Sequence, residues 1–213
     1  MCGGNAVRMR LALLAVLVLA AAASASCAQQ QEQPPGSRFL VYTRHLNSNR
    51  QALWIARVDG TQPRPLVPQG IFGAVSPDGR ELYLVDTLKG TIERAEIGDD
   101  GTLGEPQAFV RIDSTDGHPD GPTIDSEGCV WIGLYAGWET RRYSPAGELI
   151  QSVRFPVANI TKIALGGDDL RTAYATTARQ QMSPEAIAKQ PQIGDLFEFR
   201  VDAPGVPCPL VRY

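Results

Sequence analysis

Short apolar segments separated by Gly, Pro and Asp turns run through most of this chain, and they recur with a regular period. In one recurring unit, an amphipathic strand leads into a turn that ends in glycine. These turn glycines are 41, 46 and 58 residues apart: Gly60, Gly101, Gly147 and Gly205. In a second unit, a turn leads into a strand that ends in an aromatic residue, at spacings of 48 and 43: Tyr83, Trp131 and Tyr174. Two hairpins per repeat predict an all-β propeller with about four four-stranded blades, and a sandwich of irregular hairpins is the alternative.

One segment near the end of the chain departs from the strand pattern. Ser183 is a good N-cap residue, Pro184 suits the first helical position, and Glu185 favours the first turn. These signals predict one short helical insert over residues 183–190, on the surface between two strands.

The beginning of the chain has the layout of an export signal. A short basic segment with Arg8 and Arg10 precedes an apolar run, and small residues follow it up to Cys27. We therefore expect a signal peptide over residues 1–26, a flexible tether over residues 27–37 and a partial propeller domain over residues 38–213. The apolar run is short for a transmembrane helix. The predicted location is the periplasm, and plain cleavage and a lipid anchor at Cys27 both remain open.

The net charge bears on the class of binding partner, and the cysteine content bears on whether a disulfide can form. The formal net charge is −3 and no basic stripe is present, which argues against a nucleic-acid partner. Export would permit a disulfide between Cys129 and Cys208, and two buried thiols are the alternative.

The segment from His118 to Trp131 combines a Pro-Asp-Gly turn at Asp120 with a second turn and an apolar strand. It resembles the motif Pro-Asp-Gly-x-x-x-Asp-x-x-Gly-x-x-Trp of the senescence marker protein/gluconolactonase/regucalcin-like family. The resemblance extends over roughly residues 51–213 through further landmarks at family-like spacing: Leu82–Asp86, Phe155–Val157, Leu165–Gly167 and Thr176–Arg179. It corresponds to the later blades of the family's propeller.

This resemblance implies a sugar-lactone hydrolase that uses a divalent metal ion, Ca²⁺, Mn²⁺, Mg²⁺ or Zn²⁺. Its small-molecule partner would be a lactone or a sugar acid. By the same resemblance, Asp120 is both a metal ligand and the catalytic base.

Two departures from the family pattern support a different function. Ile71 stands where the family has an Asn ligand, with Gln69 two residues away, and the family's Glu ligand has no counterpart. The alternative function is therefore a non-catalytic periplasmic propeller that binds a ligand or a protein partner. An open arc of blades also has unpaired strand edges, which a homodimer could cover.

Three further polar residues are candidates for the site. His118 either lines the channel or is an ordinary turn histidine, and His45 is expected to face solvent. Arg179 either binds an acidic group or pairs one blade with the next.

The remaining candidates have simpler expectations. Trp138 either rims the channel or packs on the surface. Asp86 and Asp125 fall at strand ends or turns, where carboxylates commonly cap the backbone.

Overall fold

The computed structural model describes residues 10–11, 39–47, 50–67 and 72–207. Ile71, Gln69, Cys27 and Cys208 lie outside these ranges, as do most of the predicted signal peptide and the tether. The predictions that rest on them, including export, lipidation and the disulfide, stay predictions. The side chain of His45 is also outside the description.

The described residues form fifteen strands and one helix. The strands are β1 (Arg10–Leu11), β2 (Phe39–Asn47), β3 (Arg50–Arg57), β4 (Arg64–Val67), β5 (Phe72–Val75), β6 (Glu81–Asp86), β7 (Thr91–Glu96), β8 (Gln107–Arg111), β9 (His118–Ile124), β10 (Val130–Tyr135), β11 (Glu139–Tyr143), β12 (Leu149–Arg154), β13 (Ile160–Gly166), β14 (Thr172–Thr177) and β15 (Leu196–Arg200). The helix is α1 (Pro184–Ala188), which is too short to cross a membrane.

The strands form four consecutive antiparallel sheets. Sheet 1 is β2-β3-β4, sheet 2 is β5-β6-β7-β8, sheet 3 is β9-β10-β11-β12, and sheet 4 is β13-β14-β15 with β1 on its outer edge. The first strands of sheets 2, 3 and 4 lie side by side, because β9 contacts both β5 and β13. The prediction of an all-β fold with about four sheets and one helical insert is confirmed.

Among the described residues, sheet 1 has no strand that corresponds to β5. The turn after β3 and the turn after β7 make the same two bonds: the Thr61 and Thr102 backbone N–H groups donate to Asp59 and Asp100 over 2.9 Å, and their hydroxyls donate over 2.7 Å. Strands β2, β3 and β4 are therefore equivalent to β6, β7 and β8. In the described residues, β2 pairs with β3 alone, so its other edge is free.

The core lies between adjacent sheets in three apolar clusters. Tyr83 packs between sheets 2 and 3, where its ring meets Phe109 edge-on at 5.0 Å. Trp131 packs between sheets 3 and 4, with its ring 6.0 Å from that of Phe199. Of the three repeat aromatics, these two are fully buried and Tyr174 is half-buried.

The helix forms where its start signals lie. Ser183 is the N-cap, and its hydroxyl accepts a hydrogen bond from the Ala186 backbone N–H over 3.2 Å. Pro184 occupies the first turn and Glu185 supplies the acidic charge that the N-terminal dipole favours. The helix ends at Ala188, two residues before the end of the predicted segment.

A buried carboxylate, Asp125, organises sheet 3. It is completely shielded from solvent and accepts the backbone N–H groups of Glu127 and Cys129, each over 3.0 Å. Its second oxygen accepts the Trp131 indole N–H over 3.0 Å and the Arg142 guanidinium over 2.7 Å. The expectation that Asp125 caps a turn is therefore confirmed, and the same carboxylate also joins β10 to β11.

We predict that Asp125→Ala lowers the free energy of unfolding by about 3 kcal/mol or more, because the Trp131 indole N–H, the Arg142 Nε and two backbone N–H groups lose their acceptor. Urea unfolding followed by circular dichroism measures the change. Asp169→Ala is the matched control, since Asp169 also pairs with an Arg but is exposed. Its effect should be much smaller, and equal effects in the two variants would contradict the prediction.

Candidate functional site

Asp120 lies on the innermost strand of sheet 3. In the register of β9 and β10 it stands opposite Gly133, and an irregularity between Trp131 and Gly133 shifts the pairing at this point. The side chain is half-buried, whereas the flanking Pro119 and Gly121 are buried. The carboxylate therefore faces the space between the inner strands instead of the packed core.

Gly121 brings the Asp120 turn against sheet 4. Its φ is +54°, a left-handed conformation that favours glycine. A Cβ at this position would lie 2.2 Å from the Thr161 carbonyl oxygen and 2.7 Å from the Lys162 Cα. No side chain fits there, so the glycine of the Pro-Asp-Gly turn is what allows β9 and β13 to approach this closely.

A cavity of about 480 Å³ lies between these strands. Its lining comes from sheet 1, the beginnings of β5, β9 and β13, and the segment after β14: Thr43, Phe72, Gly73, Asp120, Gly121, Pro122, Thr161, Lys162 and Gln180. The Gln180 backbone carbonyl accepts the Tyr135 hydroxyl, which ties this segment to sheet 3. The volume is in the range of small-molecule sites.

Two opposite charges share this cavity. Burial raises the pKa of Asp120 to about 6, and the Gly121 backbone N–H and the positive charge of Lys162 oppose that rise. Surrounding protein lowers the pKa of Lys162, and Asp120 opposes that shift. The Lys162 side chain still reaches solvent, and its ammonium donates to the Pro122 carbonyl. A carboxyl with a pKa near neutrality can take up or release a proton under physiological conditions.

Comparison with known proteins agrees with this architecture. The family model described as "SMP-30/Gluconolactonase/LRE-like region" matches residues 49–179, more than half of the chain. The chain belongs to this family. It is 34% identical over 185 residues to a 6-deoxy-6-sulfogluconolactonase of Pseudomonas putida, covering 83% of this chain and 62% of the relative. It is also 34% identical over 125 residues to regucalcin of Danio rerio, covering 58% of this chain and 42% of the relative.

A solved structure shows the same fold. The calcium-binding protein regucalcin from Agrobacterium tumefaciens superimposes with a TM-score of 0.72 at 24% identity. The match covers 83% of this chain and 62% of that chain. The fold is therefore the β-propeller of the gluconolactonase and regucalcin proteins. The chain spans less than two thirds of the length of these relatives.

The structure tests the other candidate residues of this family member. His118 pairs with Tyr135 in the backbone ladder and is half-buried, two positions from Asp120, but it does not line the cavity. Arg179 donates through Nε to the Ile193 carbonyl over 2.7 Å. This bond closes the segment that carries α1, and the expectation that Arg179 binds an acidic group stays a prediction.

Trp138 lies in a turn, and Asp86 is the last residue of β6. Trp138 has a φ of +62° and is 41% exposed in the turn between β10 and β11, outside the cavity lining. Asp86 accepts the Lys89 backbone N–H over 3.0 Å, which confirms its capping role.

The sequence reasoning missed Lys162, Thr161, Gln180 and Thr43 as cavity residues. The expected effect of Ile71 and Gln69 on a metal site stays a prediction, because both residues lie outside the described ranges. Among residues 10–11, 39–47, 50–67 and 72–207, no three His, Cys, Asp or Glu residues cluster in a way that could hold a metal ion.

We predict that Gly121→Ala destabilises the protein by about 3 kcal/mol, since backbone strain adds to a collision with the β13 main chain. Gly60→Ala is the control. Gly60 also has a positive φ, of +80°, but a Cβ there would meet nothing within 4 Å. The control should lose only about 1 kcal/mol in urea unfolding. If the two variants unfold at the same midpoint, the close approach at Gly121 has no energetic importance.

Proposed function

We propose that this protein is a sugar-lactone hydrolase of the gluconolactonase type, with Asp120 as its catalytic base. The observation that carries the proposal is the position of Asp120, whose half-buried carboxyl lines a cavity of small-molecule size on an inner strand. The family and the lactonase relative support the same reaction class.

In the proposed reaction, a water oxygen adds to the lactone carbonyl carbon while Asp120 takes the proton of that water. The tetrahedral intermediate then collapses, its carbon–oxygen bond to the ring oxygen breaks, and that oxygen receives a proton. The product is an open-chain hydroxy acid. In the metal-free protein the pKa of this carboxyl is near 6, so the carboxylate that must accept the proton is abundant at neutral pH.

A divalent ion is part of this proposal, since the Agrobacterium relative is described as calcium-binding. Asp120 would hold the ion through a carboxylate oxygen, the ligand type that Ca²⁺ and Mg²⁺ prefer. Thr43, Thr161 and Gln180 place further oxygen-bearing side chains around the cavity. When bound, such an ion polarises the lactone carbonyl and stabilises the oxyanion.

A non-catalytic ligand-binding propeller is the second candidate. The observation that favours it is the Lys162 ammonium beside the single carboxylate of the cavity lining, because a fixed cation there weakens the affinity for a second one. In this case the cavity would bind a sugar acid without hydrolysing its lactone.

We also propose the cellular setting on sequence grounds. The basic and apolar segments before Cys27 support export to the periplasm, with or without a lipid on Cys27. Within the described ranges one edge of β2 has no strand partner, which supports a homodimer because an unpaired edge is a template for pairing with another chain.

We predict that Asp120→Asn lowers the turnover number for sugar-lactone hydrolysis by about 100-fold or more, because the amide cannot accept the proton of water. Proton release from a panel of sugar lactones, with Ca²⁺, Mn²⁺, Zn²⁺ or EDTA, measures the rate. Asp113→Asn is the matched control, since Asp113 is an exposed turn residue bonded to Thr115. A folded wild-type protein without turnover under all these conditions would rule out the hydrolase.

We predict that the Asp120 carboxyl titrates in the folded, metal-free protein with a midpoint of about 6, against 3.8 for an ordinary Asp. Between these values the folded state keeps a proton that the unfolded state has lost. This group therefore makes stability fall as the pH rises from about 4 to about 6. Carbon NMR of the carboxyl measures the midpoint, and urea unfolding of Asp120→Asn should lack this part of the pH dependence. A midpoint near 4 would contradict the prediction.

A further inference from the structure

Lys162 holds a positive charge in the cavity that contains Asp120. It is the third residue of β13, paired with Thr176 of β14, and Gly121 packs against its Cα. Burial of the neighbouring Ile160 and Ile163 fixes this end of the strand in the core. The backbone that carries Lys162 is therefore held on both sides, and the side chain extends into the cavity.

Within the part of the chain that the structure describes, the Lys162 ammonium makes one hydrogen bond, to the Pro122 carbonyl. The charge that acts on Lys162 is that of Asp120, yet the ammonium bonds to the neutral carbonyl instead. An ammonium has three donors, so among these residues two of them face water or a ligand in the cavity.

The surrounding sheets displace part of the water around this charge, although the side chain remains exposed to solvent. A neutral donor would satisfy the Pro122 carbonyl equally well, so that bond alone does not account for a lysine. An anionic ligand group would both accept the remaining donors and offset the lost hydration, since charge-assisted hydrogen bonds are stronger than neutral ones.

We propose that Lys162 is a specificity-determining residue that binds the anionic group of a sugar acid in this cavity. The inference rests on the proposed function for the identity of the ligand as a sugar acid, but it does not require that the protein hydrolyses a lactone. Thr43, Thr161 and Gln180 supply neutral polar groups for sugar hydroxyls, and Phe72 supplies an apolar surface. The anionic group is either a substituent of the sugar or the carboxylate that ring opening produces.

Isothermal titration calorimetry on the full chain, in EDTA and again in Ca²⁺, tests the proposal. Glucose 6-phosphate probes an anionic substituent, D-gluconate probes the ring-opened carboxylate, and D-glucose is the neutral reference. At least one anion should bind more tightly than glucose. Lys162→Met should weaken that binding about tenfold or more, and Lys162→Arg should retain most of it.

Lys189→Met is the matched control, because Lys189 is exposed at the end of α1 and its loss changes the net charge equally. It should leave both affinities unchanged. The proposal is overturned if neither anion binds better than glucose, or if folded Lys162→Met binds them as the wild type does. Should that variant fail to fold, the salt dependence of wild-type binding decides, because an affinity independent of ionic strength contradicts a charge contact.

The proposed hydrolase activity and the anion site can fail separately. Binding that depends on Lys162, in a protein that hydrolyses no lactone, would support the anion site and refute the hydrolase. Lactone turnover without Lys162-dependent binding would support the hydrolase and refute the anion site.

Discussion

The buried carboxylate of Asp125 is the interaction on which the geometry of sheet 3 depends. One oxygen fixes the turn between β9 and β10, and the other joins the Trp131 indole to the Arg142 guanidinium on β11. Three strands are thus held in one register by a single group shielded from solvent. The register shifts once between this end of β10 and the pair formed by Asp120 and Gly133, so Asp125 fixes one end of the hairpin and the irregularity places Asp120.

The cavity also depends on sheet 1, for which the described residues supply no inner strand. Because β2, β3 and β4 correspond to β6, β7 and β8, the inner position of this sheet is filled by no strand among the described residues. Thr43 then lines the cavity, although its strand β2 is equivalent to β6, the second strand of sheet 2. Among the described residues, the Thr43 side of the cavity and the unpaired edge of β2 thus belong to the same part of sheet 1.

The sequence predicted the architecture well because its signals are local. Turn glycines, capping aspartates and the Ser183-Pro184 helix start act within a few residues, and each appears where expected. The motif likewise identified Asp120 as a candidate. Lys162 was missed because its importance comes from Gly121, 41 positions earlier, whose missing side chain lets β9 and β13 meet. A single sequence does not show which distant strand such a glycine faces.

The two charges of the cavity would link the proposed metal binding to the proposed anion binding. Asp120 and Lys162 influence each other electrostatically, yet the ammonium bonds to Pro122 and leaves the carboxylate available. A cation at Asp120 alone would be repelled by Lys162, and an anion at Lys162 alone would be repelled by Asp120. A sugar acid bound together with a cation relieves both repulsions, since each partner then faces its opposite charge. The arrangement thus favours joint binding over binding of either partner alone.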